Sequence, residues 1–515
     1  MGAVMNKKLS PKNYLIINGT PGDDFLIGTS DPDTINGLDG NDTLIGAGGN
    51  DQLFGGLGDD VYRVETAGDD VIESVGQGFD RVYAVDNYAL DPGTEIELLA
   101  FIAPDVVVEV NLTGNEFGQT IVGGAGPNAI VGGGGNDVMA GLGFDDTYRV
   151  QDAGDVVLEA VGGGNDTVFV DNSLGSYALQ AGTEIEHLSA FSTASTVALA
   201  LTGNEFGNRL TGTAGADTLI GGGGNDTLVG GNGGDVYRID DLGDVIFEGF
   251  AFSGTDAVYV AMNCSDYTLP DQASIEVLAA IDPTSTVAFN LTGNFLFANT
   301  LFGNAGVNIL IGGDGAAGDT LVGYGGNDIY RVENAPDNVI EAAGGGYDSV
   351  YAGTSYTLTA GQEIEVLSAI DPSLPIIMNL TGNAFSNEIY GNTGANTLDG
   401  KAGDDLLFGR GGADIFAFTV TADSGSIDTI GDFLSGTDKI GLDDSTFAGI
   451  GTPGAFNANA FVIGTAAGDA DDRIIYDSAT GRLFYDLDGN GIAAAYQFAT
   501  LAGAPVLAAS DFAVV

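Results

Sequence analysis

Residues 19–63 alternate between a polar, glycine-rich hexad and a three-residue stretch with an apolar centre: GTPGDDFLI, GTSDPDTIN, GLDGNDTLI, GAGGNDQLF and GGLGDDVYR. The eighth position is Leu26, Ile35, Leu44, Leu53 and Tyr62, and the sixth is Asp24, Asp33, Asp42, Asp51 and Asp60. Three residues are too few for a helix but suffice for a short strand with one side chain pointing inward. The glycines permit the positive φ angles and close backbone approach of a tight turn. Turn plus strand, repeated every nine residues, predicts a parallel β-roll with two nonapeptides per coil.

The pattern returns in four further blocks. GGGGNDVMA and GLGFDDTYR close the second at Arg149, and GTAGADTLI, GGGGNDTLV and GGNGGDVYR close the third at Arg238. GYGGNDIYR closes the fourth at Arg331, and GKAGDDLLF with GRGGADIFA closes the fifth at Ala417. The closing units open at Gly55, Gly141, Gly230, Gly323 and Gly409, a longer period of 86 to 93 residues. Between blocks a second pattern recurs: GDDVIE, GDVVLE and GDVIFE, then GFDRVYA, GNDTVFV and GYDSVYA, then a segment leading into LTGN at Leu112, Leu201, Leu291 and Leu380. Alternating β-branched and aromatic residues predict strands, and no segment sustains a helical period. The predicted architecture is all-β: a parallel β-roll or β-solenoid of five cassettes over 19–417, with degenerate coils between blocks 19–63, 114–149, 203–238, 293–331 and 382–417. A short segment, 1–18, precedes it, and a β-rich cap domain, 418–515, follows.

In such a coil the aspartates stack along each edge, and a row of carboxylates repels itself unless a cation lies between successive turns. Calcium accepts about six to eight oxygens from carboxylates and backbone carbonyls in flexible geometry. The units match GGxGxDxUx and resemble the RTX, or haemolysin-type, calcium-binding repeats. The resemblance implies calcium ligation around Gly22, Asp24, Asp33, Gly40, Asp42, Gly49, Asp51, Gly58 and Asp60 in the first block. It implies Gly135, Asp137 and Asp146 in the second, and Gly215, Asp217, Gly224, Asp226, Gly233 and Asp235 in the third. Asp319, Gly326 and Asp328 follow in the fourth, and Gly403, Asp405, Gly412 and Asp414 in the fifth. The expected cofactor is Ca2+, about ten ions. At Gln119, Asn128, Asn208, Asn308, Asn387 and Asn396 an amide holds the aspartate position, and these turns are expected to bind calcium weakly or not at all. The insertion GGDGAAGDTLV leaves two readings open for Asp319, ligand or bystander.

Composition sharpens this picture. The 515 residues carry 72 acidic and 14 basic side chains, a formal charge of -58, yet 44% are hydrophobic. A chain that is both core-rich and this anionic needs counter-charge to fold compactly. Nucleic acid would be repelled, so no nucleic-acid partner is expected. The lone Cys264 provides no intramolecular disulfide, and no apolar run approaches the length of a membrane span. Tyr14–Ile17 is too short for a signal-peptide core, which taken alone points to a cytoplasmic protein.

The C-terminal hundred residues change that localisation. RIIYD-SATG-RLFYD predicts a hairpin, and the chain ends in SDFAVV. From about residue 415 the sequence resembles the C-terminal domain of serralysin metalloproteases and related exported RTX proteins. That resemblance implies an uncleaved C-terminal signal read by a type I secretion apparatus, and hence a secreted protein of a Gram-negative bacterium. DLDGNG reads either as the start of a further calcium loop through Asp486 and Asp488 or as an acidic hairpin turn. No protease is implied, because HExxH is absent, and no G-x-S-x-G elbow supports a lipase. His187, the sole histidine, occupies a slot held by Leu98, Val277 and Val366 in sister cassettes and reads as packing. The pairs Glu95/Glu97 and Glu184/Glu186 recur by cassette and read as structural.

These readings predict a non-enzymatic, calcium-folded structural protein that assembles at the cell surface as an S-layer, filament or matrix. The alternative is a calcium-dependent adhesin that binds glycan or lipopolysaccharide, with a hydrolase remnant as a third reading. Assembly is expected head to tail, with Lys7, Lys8 and Lys12 steering and Tyr14–Ile17 pairing on the next copy. The competing expectation has 13–18 folding back on the first coil and 1–12 disordered.

Overall fold

A computed structural model describes residues 14–248, 254–315, 317–420 and 425–515, together with the backbone of Asn6–Leu9. The chain divides into two compact units, Met1–Ala257 and Val258–Val515. Each is a parallel β-solenoid, as the nonapeptide pattern predicts, and helix is limited to three single 3-10 turns among the described residues.

In the first unit, successive short strands alternate between opposite faces of the coil. Phe25–Ile27, Thr43–Ile45 and Val61–Val64 lie side by side on one face; Thr34–Asp39 and Gln52–Leu57 lie on the other. Phe25 sits opposite Thr43 and Thr43 opposite Val61, so each coil advances by two nonapeptides. Because side chains alternate along a strand, only the eighth position of each unit points inward. Leu44, Leu53 and Tyr62 are accordingly buried completely, while their neighbour Phe25 remains 60% exposed. The degenerate coils keep the same stacking: Val61–Val64 pairs with Arg81–Ala84, which pairs with Leu98–Phe101.

At the start of this unit Leu15–Asn18 pairs in parallel with Thr34–Asp39. Asn6–Leu9 then pairs antiparallel with Leu15–Asn18 and covers its outer edge. The strand expected to dock on another copy is therefore paired within its own chain. Fold-back is what the structure shows, with the correction that 6–9 is a strand. Lys12 lies outside the described residues.

The second unit repeats the coil through Ile329–Val332, Ser349–Ala352, Val366–Ala369, Glu388–Tyr390 and Leu406–Phe408, all parallel. The expected hairpin is present, Ile474–Asp477 pairing antiparallel with Arg482–Tyr485. The C-terminal tail Phe512–Val514 adds as a parallel strand to Lys439–Leu442, itself laid on Ile415–Phe418. Phe447 packs edge-on against Tyr485 and Phe498, with ring centroids 5.1 Å away in each case. An aromatic core of this kind ends the repeat in place of a further coil.

The burial pattern gives a direct test. Leu44→Ala removes a side chain sealed between two coils and should cost about 2–5 kcal/mol in calcium-saturated chemical unfolding. Phe25→Ala, on the outward face of the neighbouring strand, should stay within about 0.5 kcal/mol.

Candidate metal centre

The sixth-position aspartates are nearly all buried and form two ladders, one along each edge of the coil. Each carboxylate accepts the backbone N–H of its counterpart one coil earlier. Asp24 N donates to Asp42 Oδ1 at 2.7 Å, Asp42 N to Asp60 Oδ1 at 2.6 Å, and Asp60 N to Asp80 Oδ1 at 2.8 Å. On the opposite edge Asp33 N donates to Asp51 Oδ1 at 2.7 Å and Asp51 N to Asp69 Oδ1 at 3.2 Å. The later blocks repeat the motif, as in Asp137 N to Asp155 Oδ1 at 3.0 Å and Asp217 N to Asp235 Oδ1 at 2.8 Å. Asp319, despite the insertion before it, is a ladder member: it accepts from Asn299 N at 2.8 Å and donates to Asp337 Oδ1 at 3.1 Å.

One oxygen of most ladder aspartates is thus held by the backbone of the preceding coil. The other accepts a threonine N–H and hydroxyl of its own turn at Asp24, Asp33 and Asp217, and is left over in most of the remaining nonapeptides. Oδ2 of Asp42, Asp51, Asp60, Asp137, Asp226 and Asp405 is buried without a hydrogen-bond partner. These atoms face more oxygen. A Cβ placed on Gly37 would collide with Asp42 Oδ2 and lie 2.6 Å from the Gly55 carbonyl oxygen, so glycine at position one keeps open a space lined by carbonyl and carboxylate. The turn itself uses left-handed backbone at the fourth position, as at Gly40 (φ 123°) and Gly58 (φ 130°). Gly215 is outside this set, and Phe144 takes the fourth position of its unit with φ 67°.

The amide turns behave oppositely. Asn299 Nδ2 donates to the Ile275 carbonyl and Asn387 Nδ2 to the Ile364 carbonyl, each at 2.6 Å, while Asn308 Nδ2 reaches the Phe289 carbonyl at 3.1 Å. Asparagine supplies the donor that aspartate lacks. An all-oxygen, anionic, donor-free pocket fits a hard cation such as calcium, and the aspartate turns with an unpartnered Oδ2 offer one where the asparagine turns do not.

Among the described residues, no side-chain cation pairs with a ladder aspartate. Arg63 pairs with Glu65 at 3.0 Å, Arg149 with Asp171 at 3.1 Å and Arg238 with Asp240 at 2.8 Å, none of them a ladder member. Burial, reinforced by neighbouring carboxylates, pushes Asp51, Asp226 and Asp405 up to about 7 and Asp137 up to about 6.

Several ladder members carry no nonapeptide signature. Asp69, Asp80, Asp155, Asp166, Asp337 and Asp348 belong to degenerate coils whose turns lack the glycine frame. The recurring GDD, GD and GxD strings were the only signal for five of them, and Asp337, in NAPDN, had none. Glu97 and Glu186 prolong the same row, accepting Asp80 N at 2.6 Å and Asp166 N at 2.7 Å, which gives these recurrent glutamates a structural role. Asp486 and Asp488 stand apart: Asp488 Oδ2 accepts Ile492 N at 3.0 Å and Ala493 N at 3.2 Å within its own turn. His187 lies on a strand between Thr167 and Arg209, next to the ladder residue Glu186, and its backbone N–H donates to the Asp166 carbonyl at 3.0 Å.

Fold and site together define a calcium-binding β-roll, an architecture that is typically structural rather than catalytic. Four stretches, 27–62, 113–148, 202–237 and 381–416, match the family of RTX calcium-binding nonapeptide repeats. Such repeats point to an extracellular, secreted protein. No curated protein matches the chain. Among the described residues no helix is long and apolar enough to cross a membrane.

Two measurements check the ladder. Asp42→Ala should lower calcium affinity by calorimetry, whereas Asn208→Ala, at a turn where an amide already donates to the Ile185 carbonyl, should leave it nearly unchanged. The second concerns pH. The carboxyls titrate near 6 to 7 in the calcium-free fold against an ordinary 3.8, so the fold binds protons that the open chain has already lost. Their contribution to stability is therefore full below about 4 and lost as pH rises through about 7. In EGTA, β-structure by circular dichroism should be greater at pH 5 than at pH 8. With calcium present, protons compete for the same oxygens, and the calcium midpoint should rise as pH falls.

Proposed function

We propose that this is a secreted structural protein of a Gram-negative bacterium, which folds on meeting extracellular calcium and assembles at the cell surface as a layer, filament or matrix. The unpaired, fully buried Oδ2 atoms carry the first half of this reading. Without a cation they leave the coil self-repelling, so a calcium-poor cytosol keeps the chain open and exportable. At a tenfold excess of calcium over its dissociation constant, each site adds about 1.4 kcal/mol. Several such sites rival the whole stability of an ordinary domain.

Assembly draws support from a surface feature that recurs with the cassette. Val108 and Val197 in the first unit, and Val287 and Ile377 in the second, are exposed aliphatic residues three or four positions ahead of each LTGN segment. Exposed aliphatics repeated at a fixed interval suit repeated contacts with other copies better than they suit a single ligand. The C-terminal tail has two successive roles on this reading. It is read by a type I secretion apparatus while unfolded, and afterwards Phe512–Val514 locks into the sheet as a cap.

Two experiments test the proposal. Negative-stain microscopy and light scattering of dilute protein, with EGTA and with millimolar calcium, should show open monomers in the first and ordered assemblies in the second. A calcium-folded monomer that binds glycan or lipopolysaccharide saturably would favour the adhesin reading instead. Removing about the last fifty residues should retain the protein inside the cell, and undiminished secretion would reduce the tail to a cap.

A further inference from the structure

Where the first block ends, the coil contains a feature outside the nonapeptide design. Gln52, Leu53 and Phe54 pair with Asp70, Val71 and Ile72, so the next residue, Glu73, stacks directly on Gly55. A side chain thus occupies the slot that nonapeptides reserve for their first glycine. Glu73 is buried, and its carboxylate accepts the Tyr62 hydroxyl. Asp60, Glu73 and Asp80 each present an oxygen such that all three lie within 4.8 Å of one another. A Cβ on Gly55 would collide with Asp60 Oδ2, the Tyr62 hydroxyl and Glu73 Oε2, so these oxygens converge on one space.

The arrangement recurs in the next three cassettes around Glu159, Glu248 and Glu341, each stacked on the glycine that opens the closing unit. The partner tyrosines are Tyr148, Tyr237 and Tyr330. The fifth block closes on Phe416, and no such cluster is present there among the described residues.

Acidic residues in proximity do not by themselves make a site; here a second observation points to a ligand. Asp60 is 0% exposed, and its Oδ2, aimed into the cluster, has no hydrogen-bond partner. In the second cluster Asp146 Oδ2 and Glu159 Oε2 are both in this state, and in the fourth Asp328 Oδ2 and Asp348 Oδ2 are. The tyrosine satisfies one glutamate oxygen only, and Arg63 is engaged outside with Glu65. Three buried carboxylates without a counter-ion are strongly unfavourable. Calcium–oxygen bonds of about 2.3–2.6 Å place ligands on opposite sides of one ion about 5 Å apart, so oxygens this close can share a single calcium.

We propose that each of these four clusters is a calcium site of a separate class, with three carboxylates rather than the nonapeptide pair, and that these four fill before the nonapeptide sites. The extra charge raises affinity, and the tyrosine fixes the glutamate in its binding orientation. The proposal rests on the calcium-folding reading above, and the test separates the two.

Calcium is titrated calorimetrically into the full chain and into the E73Q/E159Q/E248Q/E341Q variant. The unsubstituted chain should show about four tight equivalents, and in the variant these should weaken tenfold or more, with the remaining equivalents and the final circular dichroism unchanged. An unaltered isotherm in a normally folded variant overturns the proposal while leaving calcium-induced folding intact. No calcium-dependent circular dichroism in the unsubstituted chain would instead remove the underlying reading. If the quadruple variant does not fold, E73Q alone should weaken a single equivalent. Terbium gives a readout on the unsubstituted protein, since the chain has no tryptophan and emission must be sensitised by tyrosine or phenylalanine. The first four equivalents should be the brightest, and in Y62F/Y148F/Y237F/Y330F the same four equivalents should remain, dimmer and bound somewhat more weakly. Emission that starts only after those equivalents, or that ignores the four hydroxyls, overturns the assignment.

Discussion

The structure depends on how one carboxylate is divided. A ladder aspartate gives Oδ1 to the backbone N–H of the preceding coil, which fixes coil spacing and strand register together. At Asp42, Asp51, Asp60, Asp137, Asp226 and Asp405, among others, Oδ2 is left buried with no hydrogen-bond partner. A hydrogen bond net of solvent contributes only about 1 kcal/mol, whereas an unpaired buried charge costs several times that. The balance is unfavourable until a cation enters. Other features serve this division: the glycine at position one that keeps space open, the left-handed turn that aims the carbonyls, and the arginines that pair elsewhere. A chain with 14 basic residues and 72 acidic ones cannot supply the missing charge itself.

Replacing the aspartate by asparagine alters this logic with very little change of shape. The amide oxygen accepts within its own turn, as where Asn115 N donates to Gln119 Oε1 and Asn204 N to Asn208 Oδ1, and the amide nitrogen adds a donor for a carbonyl of the preceding coil, as from Asn299 to Ile275. Such a coil closes without metal. Aspartate and asparagine coils alternate along the chain, so stretches that require calcium are spliced to stretches that do not. Stability in a solenoid is set mainly by nearest neighbours, which makes these amide coils the fixed surfaces on which calcium-dependent coils can stack.

Much of this was legible in the sequence because the repeat encodes local geometry. Leu44 and Leu53 were marked as core by position alone, and the hairpin Ile474–Asp477 with Arg482–Tyr485 by its turn residues. The ladder's continuation was not legible. Asp60 meets Asp80 after twenty residues rather than eighteen, because the degenerate coil carries a longer turn, and a fixed ruler steps past it. Glu97 conceals its role further, since a longer side chain reaches the same N–H from a different backbone position. Asn299 escaped for a similar reason, displaced by the extra residue in GNFLFANTLF. The strand Asn6–Leu9 had no pattern at all, because its partner edge and not its own composition determines it.

The uninterrupted row matters for how calcium acts. Asp42 leads to Asp60, Asp60 to Asp80, and Asp80 to Glu97, so the N–H to carboxylate relay crosses from a nonapeptide block into the degenerate coils without a break. An ion that pulls on one Oδ2 also orients the Oδ1 of the same carboxylate, and through it the backbone of the preceding coil. Ordering of one coil therefore lowers the entropy cost of ordering its neighbour, which is positive coupling between sites that share no ligand. Gaps of independent structure between blocks would have confined that coupling to each block. Because carboxylates of the degenerate coils stay in the ladder, the repeats can respond to calcium over distances longer than any single run of nonapeptides.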